Sequence, residues 1–378
     1  MNVEEAVKAR YSEGAKAVEA ELCCPVAYDP DLLALLPQEI LEKDYGCGDP
    51  SRHVRPGDVV LDLGSGAGKI CYMAAQLTGP AGQVIGVDMN DDMLALARRY
   101  QDTMAARLGG ERVRFVKGRL QDLALDLEAL ERRLDAQPVR NLADLDALDE
   151  WKAGMRRKQP LIADASIDLV ISNCVLNLVA EADRVRMLEE IHRVLRPGGR
   201  VAISDIVADE PVPEHLKADP RLWSGCISGA FTEQGFLEAF RAAGFLAVRL
   251  EAWSEQPWQV IEGIEFRSVT LTAVKGADGP CIDRGHAVIY RGPYAEVRDD
   301  EGHVFPRGER MAVCERTCRL LTAGPYGDDF IGIQPPRPGE GLPWCAPPGT
   351  RRPAGETKGA AHTGSDKGGC GTGCCPCD

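Results

Sequence analysis

The 378-residue chain contains no apolar run approaching the roughly 20 residues that a membrane-spanning helix requires, so no membrane partner is expected. Its first residues, MNVEEAVKARYSEG, are charged and amphipathic and lack the apolar stretch of a secretory signal, which predicts a cytoplasmic location. Basic residues are in deficit: 44 Lys and Arg against 58 Asp and Glu leave a net charge of −14, and no basic patch interleaved with aromatics stands out. Phosphate contact depends on Lys and Arg, which argues against nucleic acid and for a small substrate. Hydrophobic content of 44% with 27% charge marks a globular chain, long enough for a core domain of about 250 residues and a smaller partner. Thiols, by contrast, are plentiful. Fourteen cysteines without a secretory signal read as reactive or ligand thiols rather than a disulfide framework.

The stretch around which the chain is organised runs from Val59 to Met73, VVLDLGSGAGKICYM. Its apolar run predicts a buried strand, Gly64-Ser65-Gly66-Ala67-Gly68 a tight turn, and the following pattern a helix. Glycines allow positive φ and close backbone approach to a ligand, and the free N–H groups of the new helix favour polar or negative groups there. The glycines at 64, 66 and 68, with Asp62 inside the strand, depart from the G-x-G-x-x-G pyrophosphate fingerprint. A second strand, QVIGVD, ends in Asp88, and an acid at that tip suits the two hydroxyls of a ribose. Together Asp62, Gly64, Gly66, Gly68 and Asp88 resemble the cofactor motifs of class I S-adenosylmethionine-dependent methyltransferases. That resemblance implies a Rossmann-like α/β sheet with helices on both faces. It also implies S-adenosylmethionine as cofactor, held by Asp62, Gly64, Ser65, Gly66, Gly68, Asp88, Met89 and Asn173.

Four regions follow from the pattern. Residues 1–55 form a helical segment with loop cysteines: a helix capped by Asn2 runs to about Leu22, then Cys23 and Cys24, a short helical stretch from Pro30 to Lys43, and Tyr45-Gly46-Cys47-Gly48. Residues 56–276 form the methyltransferase core. Within it, Asn90 caps a helix to about Met104, Val113 to Lys117 is the third strand, and residues 121–158 read as an inserted helical hairpin broken at Pro138. The fourth strand, Ile167 to Ser172, delivers Asn173, Cys174 and Asn177 to its carboxyl end, where ligands of open α/β sheets bind. A helix from Ala182, a fifth strand from Arg200 and an excursion at 208–231 carrying Cys226 come next. Thr232 caps a helix that Gly244 stops, and an antiparallel pair of strands closes the core. Residues 281–334 read as a small β-rich domain. In 335–378, 18 of 44 residues are Pro or Gly, which predicts a flexible tail, ending in Cys370, Cys374, Cys375 and Cys377.

A single cysteine is most often a small buried hydrophobe. Here three of them, Cys47, Cys174 and Cys226, come from separate segments, two beside glycine and one at a strand tip facing the cofactor turn. Three thiolates suit a soft, thiophilic centre. Structural zinc usually takes close C-x-x-C pairs and a fourth ligand, absent here. Trivalent arsenic takes three sulfurs in a pyramid and keeps a lone pair on its open side. The motifs Tyr45-Gly46-Cys47-Gly48, Ser172-Asn173-Cys174-Val175-Leu176-Asn177-Leu178 and Leu222-Trp223-Ser224-Gly225-Cys226 closely resemble those of the arsenite S-adenosylmethionine methyltransferases, over about residues 10–335.

The resemblance implies that Cys47, Cys174 and Cys226 bind trivalent arsenic and that arsenite or its glutathione adducts are methylated stepwise. A transient disulfide between Cys47 and either Cys23 or Cys24 would return electrons to arsenic, reset by thioredoxin or glutathione. The tail cysteines either deliver arsenite or form a dispensable metal-binding tail. A monomer is expected. Tyr45 is a candidate cover for the sulfonium and Asp122 a candidate adenine contact, each weighed against ordinary packing or solvation; His192 reads as a surface residue. Two alternatives remain open. One is methylation of a small organic metabolite, which needs a His or Glu base near the fourth strand; the other is an arsenic-sequestering thiol protein.

Overall fold

A computed structural model of the chain describes residues 3–17, 19, 26–43, 45–277, 279–335, 341–344 and 347–358. They divide into two compact units, the first ending at Gly276. The first unit is built on strands β1 (Val59–Leu63), β2 (Gln83–Asp88), β3 (Val113–Lys117), β4 (Ile167–Asn173), β5 (Leu195–Ala208), β6 (Phe231–Thr232), β7 (Phe245–Trp253), β8 (Gln259–Ile261) and β9 (Ile264–Lys275). The main order is β3-β2-β1-β4-β5-β9-β7, with β6 paired to β5 and β8 to β9. β1 to β5 run parallel, and β9 lies antiparallel between β5 and β7. Successive residues of a strand face opposite sides, and each side has its own apolar core. Leu61, Leu63, Ile85 and Val170 enter one cluster, and Val60, Val84, Leu169 and Ile171 enter the other. Burial on both faces is why β1 and β4 are mostly apolar, interrupted by Asp62 and Asp168. This is the class I methyltransferase fold that the cofactor motifs implied.

Helix α1 (Val3–Lys16) is shorter than its periodicity predicts. The Tyr45 hydroxyl accepts the Glu19 N–H at 3.0 Å, replacing the helical acceptor, so the chain leaves the helix there. The stretch from Pro30 forms two short helices, α2 (Pro30–Ala34) and α3 (Gln38–Glu42), separated at Pro37, whose missing N–H interrupts the ladder. The glycine turn opens α4 (Lys69–Thr78). Asn90 caps α5 (Asp91–Arg99) by accepting from Asp92 and Met93 N–H, and the chain re-initiates at Tyr100 into α6 (Gln101–Leu108). The predicted insertion forms a helical pair, α7 (Leu127–Ala136) and α8 (Leu142–Lys158), in which Leu148 is the one buried side chain. Then come α9 (Arg184–Val194), α10 (Glu214–Lys217), α11 (Pro220–Ser224) and α12 (Glu233–Ala242). Thr232 caps α12 through the Gly235 N–H, and Gly244 (φ +89°) takes the left-handed turn after it. Strand β5 starts at Leu195 rather than Arg200, taking the Gly198-Gly199 turn in as an irregularity opposite Ile167 and Leu169.

The second unit is β-rich: β10 (Ile282–Asp283), β11 (Ala287–Tyr290), β12 (Glu296–Arg298), β13 (Val304–Pro306), β14 (Arg310–Ala312), β15 (Phe330–Ile333) and β16 (Leu342–Pro343). β11 sits between β14 and β15, β12 pairs with β13 and β10 with β16. A helix not foreseen from the sequence, α13 (Glu315–Thr322), contributes Cys318 and Leu321 to a core with Val288, Phe305 and Phe330. The segment after Pro335, expected to be a flexible tail, supplies β16, and Arg352 donates to Asp283 at 2.7 Å. Cys370, Cys374, Cys375 and Cys377 lie outside the described residues. No helix among those described is long and apolar enough to cross a membrane.

Candidate active site

The parallel register aligns the carboxyl ends of β1, β2 and β4, with Leu63 opposite both Val87 and Ser172. At β1 the chain turns through Gly64, Gly66 and Gly68 at φ of +68°, +52° and +89°. A Cβ on Gly64 would lie 2.5 Å from Val175, and one on Gly68 would lie 2.7 Å from Phe115, so side chains are excluded there. Asp88 braces the turn from β2: Oδ2 accepts the Gly66 N–H at 2.9 Å and Oδ1 the Asn90 N–H at 2.8 Å. Above the turn is a cavity with about 870 Å³ of free space, counting its open mouth. Gly64, Gly66, Asp88, Met89, Asn173 and Cys174 line it. The glycine turn with an oriented carboxylate beside a mixed lining fits a ribose-bearing ligand.

The remaining predicted cofactor residues lie elsewhere. Asp62 is buried beneath the turn, where its Oδ2 accepts from the Cys71 thiol at 3.1 Å. Ser65 packs over Gly86, and Gly68 packs on Phe115; neither lines the cavity. Asp122 is not there either. Arg156 of α8 binds its carboxylate with two nitrogens at 2.7–3.1 Å, so the inserted helices take up the group weighed as an adenine contact. His192 is half-buried, its ring edge-on to Phe245 at 5.2 Å. Tyr45 does line the cavity, with Lys43, Lys8 and Tyr11.

The three thiols converge on one apolar cluster with Leu178, Trp223 and Phe266. Cys47 and Cys174 are joined by a disulfide. The Cys226 sulfur donates to the Cys174 carbonyl at 3.1 Å. Cys23 and Cys24, between which the resemblance left the partner of Cys47 open, lie outside the described residues; here Cys47 is bonded to Cys174. Both Cys174 (φ +59°) and Cys226 (φ +63°) adopt the left-handed conformation, which non-glycine residues avoid and which concentrates at functional sites.

Two polar networks hold this arrangement. Asn173 spends its amide on the loop of Cys47: Oδ1 accepts from the N–H groups of Cys47 (2.9 Å) and Gly48 (3.1 Å), and Nδ2 donates to the Gly48 carbonyl (2.8 Å). The glycines flanking Cys47 make this approach possible. A Cβ on Gly46 would sit 2.2 Å from Asn173 Nδ2, and one on Gly48 would sit 2.5 Å from Ser204 Oγ. The second network centres on Asp205 of β5, which the sequence reading passed over. Its carboxylate accepts from Leu176 N–H (2.9 Å), Asn177 N–H (3.3 Å), Ile206 N–H (2.8 Å) and Asn177 Nδ2 (2.8 Å). One of its oxygens lies within 4.8 Å of both the Cys47 and Cys174 sulfurs. Burial pushes Asp205 up to about 6, against the pull of those hydrogen bonds. Arg184, buried against the Phe231 ring, donates to the Gly229 carbonyl at 2.6 Å and fixes the loop after Cys226. Tyr11 of α1 was also missed. Burial holds its phenol well above the ordinary value, and the charges of Cys226, Asp205 and Asp88 push the same way. No His or Glu lines the cavity among the described residues.

Comparison with known proteins is consistent with this geometry. A family described as "Methyltransferase domain" matches residues 55–135 and 153–244, the match breaking inside the α7–α8 insertion. A "Domain of unknown function (DUF8838)" matches residues 277–362. The arsenite methyltransferase of Aquipseudomonas alcaligenes is 32% identical over 83% of this chain and 85% of its own length. The human arsenite methyltransferase is 29% identical over 81% of this chain and 74% of its own. Among solved structures, CrArsM, an arsenic (III) S-adenosylmethionine methyltransferase from Chlamydomonas reinhardtii, is 28% identical with a TM-score of 0.55, covering 81% of this chain and 96% of that one. The chain belongs to the arsenite methyltransferases.

Proposed function

We propose that this protein methylates trivalent arsenic stepwise, using S-adenosylmethionine, and so serves arsenic detoxification. One observation carries the reading: Cys174 lines the cavity over the glycine turn, its sulfur bonded to Cys47 and its carbonyl met by the sulfur of Cys226. Gly64, Gly66, Asp88 and Met89 would hold the cofactor, which supplies an electrophilic sulfonium methyl group. Reduction of the Cys47–Cys174 bond, by thioredoxin or glutathione, frees two thiols beside Cys226. Three thiols then displace three water molecules from arsenite, giving a trithiolate whose arsenic keeps its lone pair. Asn173 positions Cys47 and the Asp205–Asn177 network positions Cys226, so the lone pair is aimed at the cavity. Attack on the methyl group oxidises arsenic formally to the pentavalent state. Two thiolates closing a disulfide return two electrons, and the bond seen between Cys47 and Cys174 is one such pair, alongside the family-implied bond from Cys23 or Cys24.

The test is to incubate purified protein with methyl-labelled cofactor, arsenite and a thiol, and to separate the arsenic species. Labelled mono- and dimethylated arsenicals are expected. Label that never reaches arsenic, with the cofactor bound and the thiols reduced, overturns the reading.

A further inference from the structure

The second unit carries its own group of thiols, unrelated to the cavity just described. Cys314 is the N-cap of α13: its sulfur accepts from the Thr317 N–H at 3.4 Å and lies 3.2 Å from Thr317 Oγ1. Cys281, just before β10, shares a hydrogen bond with the Cys314 sulfur. Cys318 lies one helical turn on, fully buried in the unit's apolar core. These groups are electrostatically distinct. Burial raises the Cys314 thiol, but the bonds to Thr317 and Cys281 and the charge of Arg316 outweigh it, leaving Cys314 below its ordinary value. Burial, reinforced by the charge of Cys314, pushes Cys318 up to about 11. A thiol at a helix N-terminus with lowered pKa is the reactive kind, whereas one buried in apolar surroundings is inert. Exposure differs as well. Cys281 is half-buried, while Cys314 is buried. Beside them His286 is buried with no hydrogen-bond partner for Nδ1 among the described residues, and its carbonyl accepts from the Val313 N–H next to Cys314.

Two thiols within hydrogen-bond reach, one of them activated and the other half-buried, form a chelating pair for a centre that takes two sulfurs. We propose that Cys281 and Cys314 form a second binding site, in the C-terminal unit, for trivalent arsenicals that carry one organic substituent. The bonding balances without redox change: R–As(OH)₂ and two thiols give R–As(SR′)₂ and two water molecules. The Cys314 thiol displaces the first hydroxyl, its proton leaving with that hydroxyl as water, and the Cys281 thiol displaces the second in the same way. Cys318 takes no part, since it stays protonated in the core. The site goes beyond the methylation reading and does not depend on it.

Phenylarsine oxide, which hydrates to such a dihydroxide, is the probe. The reduced full-length chain is treated with it and unfolded in urea, and free thiols are blocked with N-ethylmaleimide. The arsenical is then stripped with a dithiol, and the released cysteines are labelled with heavy reagent and mapped by peptide mass spectrometry. Cys281 and Cys314 should be labelled together, and Cys281→Ser or Cys314→Ser should lower labelling at the remaining partner at least tenfold. Labelling at Cys47, Cys174 and Cys226 should not change. Failure of both residues to take heavy label overturns the proposal, as does Cys314 labelling that survives Cys281→Ser. The Cys281→Ser and Cys281→Ala chains are compared with the parent by circular dichroism, and loss of label in a chain that keeps the parent spectrum counts as support. Methylation assayed on the same samples separates this site from the other: arsenic methylation with no label at 281 and 314 sinks only this proposal.

Discussion

At the scale of single residues, the thiols and their supports divide the work. If Cys174 and Cys226 bind arsenic, Cys174→Ser and Cys226→Ser abolish methylation of arsenite while cofactor affinity, read by calorimetry, stays within about threefold. Cys47→Ser stops the first methylation but spares a monomethylated substrate, which needs two sulfurs; normal turnover of arsenite by any of the three undoes the ligand assignment. Asn173 lines the cavity and also acts as a positioning residue, since its amide serves the loop of Cys47. Asn173→Ala leaves two loop N–H groups without their acceptor, a loss of about 1–3 kcal/mol. Denaturant unfolding should show that loss, and kcat/KM for arsenite should fall at least about tenfold, with cofactor affinity moving less. Gly46→Ala, whose Cβ would meet Asn173, should reproduce the kinetic split.

At the scale of elements, two contacts fasten helices, one to a neighbouring helix pair and one to the loop after β3. Glu39 of α3 accepts from the Tyr100 hydroxyl at 2.6 Å and from Lys43 at 2.9 Å, with Arg99 at 2.9 Å. The Tyr100 bond, then Lys43 and the charge of Arg99, hold its carboxyl down at about 2. Because the folded value lies below the unfolded one, Glu39 stabilises the chain above about pH 4.3, and this contribution fades as pH falls toward 2. The side chain is 27% exposed, so solvent limits the gain to about 1 kcal/mol or less. The stability gap between Glu39→Gln and the parent, from denaturant curves at pH 7, 5, 4 and 3, should shrink below pH 4.3; a constant gap contradicts this. The inserted helices are tied to the core by Arg156 on Asp122. This pair is partly buried, so Arg156→Ala should cost about 1–2 kcal/mol, between the surface and buried limits, and leave cofactor affinity unchanged.

At the scale of the whole molecule, every described residue lining the cavity lies between Val7 and Val179, and the first unit has its own cores on both sheet faces. A chain ending at Gly276 should therefore bind S-adenosylmethionine within about threefold of the full-length affinity, measured by calorimetry. A loss of more than about tenfold, some 1.4 kcal/mol, would mean that the second unit supports the site.

What the amino-acid order determined by itself was local: the glycine turn, the acid at the tip of β2, the caps at Asn90 and Thr232, and the two helices of the insertion. Each depends on residues a few positions apart, whose spacing sets backbone conformation directly. Tertiary structure decided where side chains point. Asp62, in the motif, turns inward to Cys71, while Asp205, outside any motif, reaches the thiols because β5 lies beside β4. Cys47 and Cys174, separated by 127 positions, meet because the Asn173 amide draws their two segments together. Pairings over such distances are set by sheet order and core packing, which no short window of sequence contains.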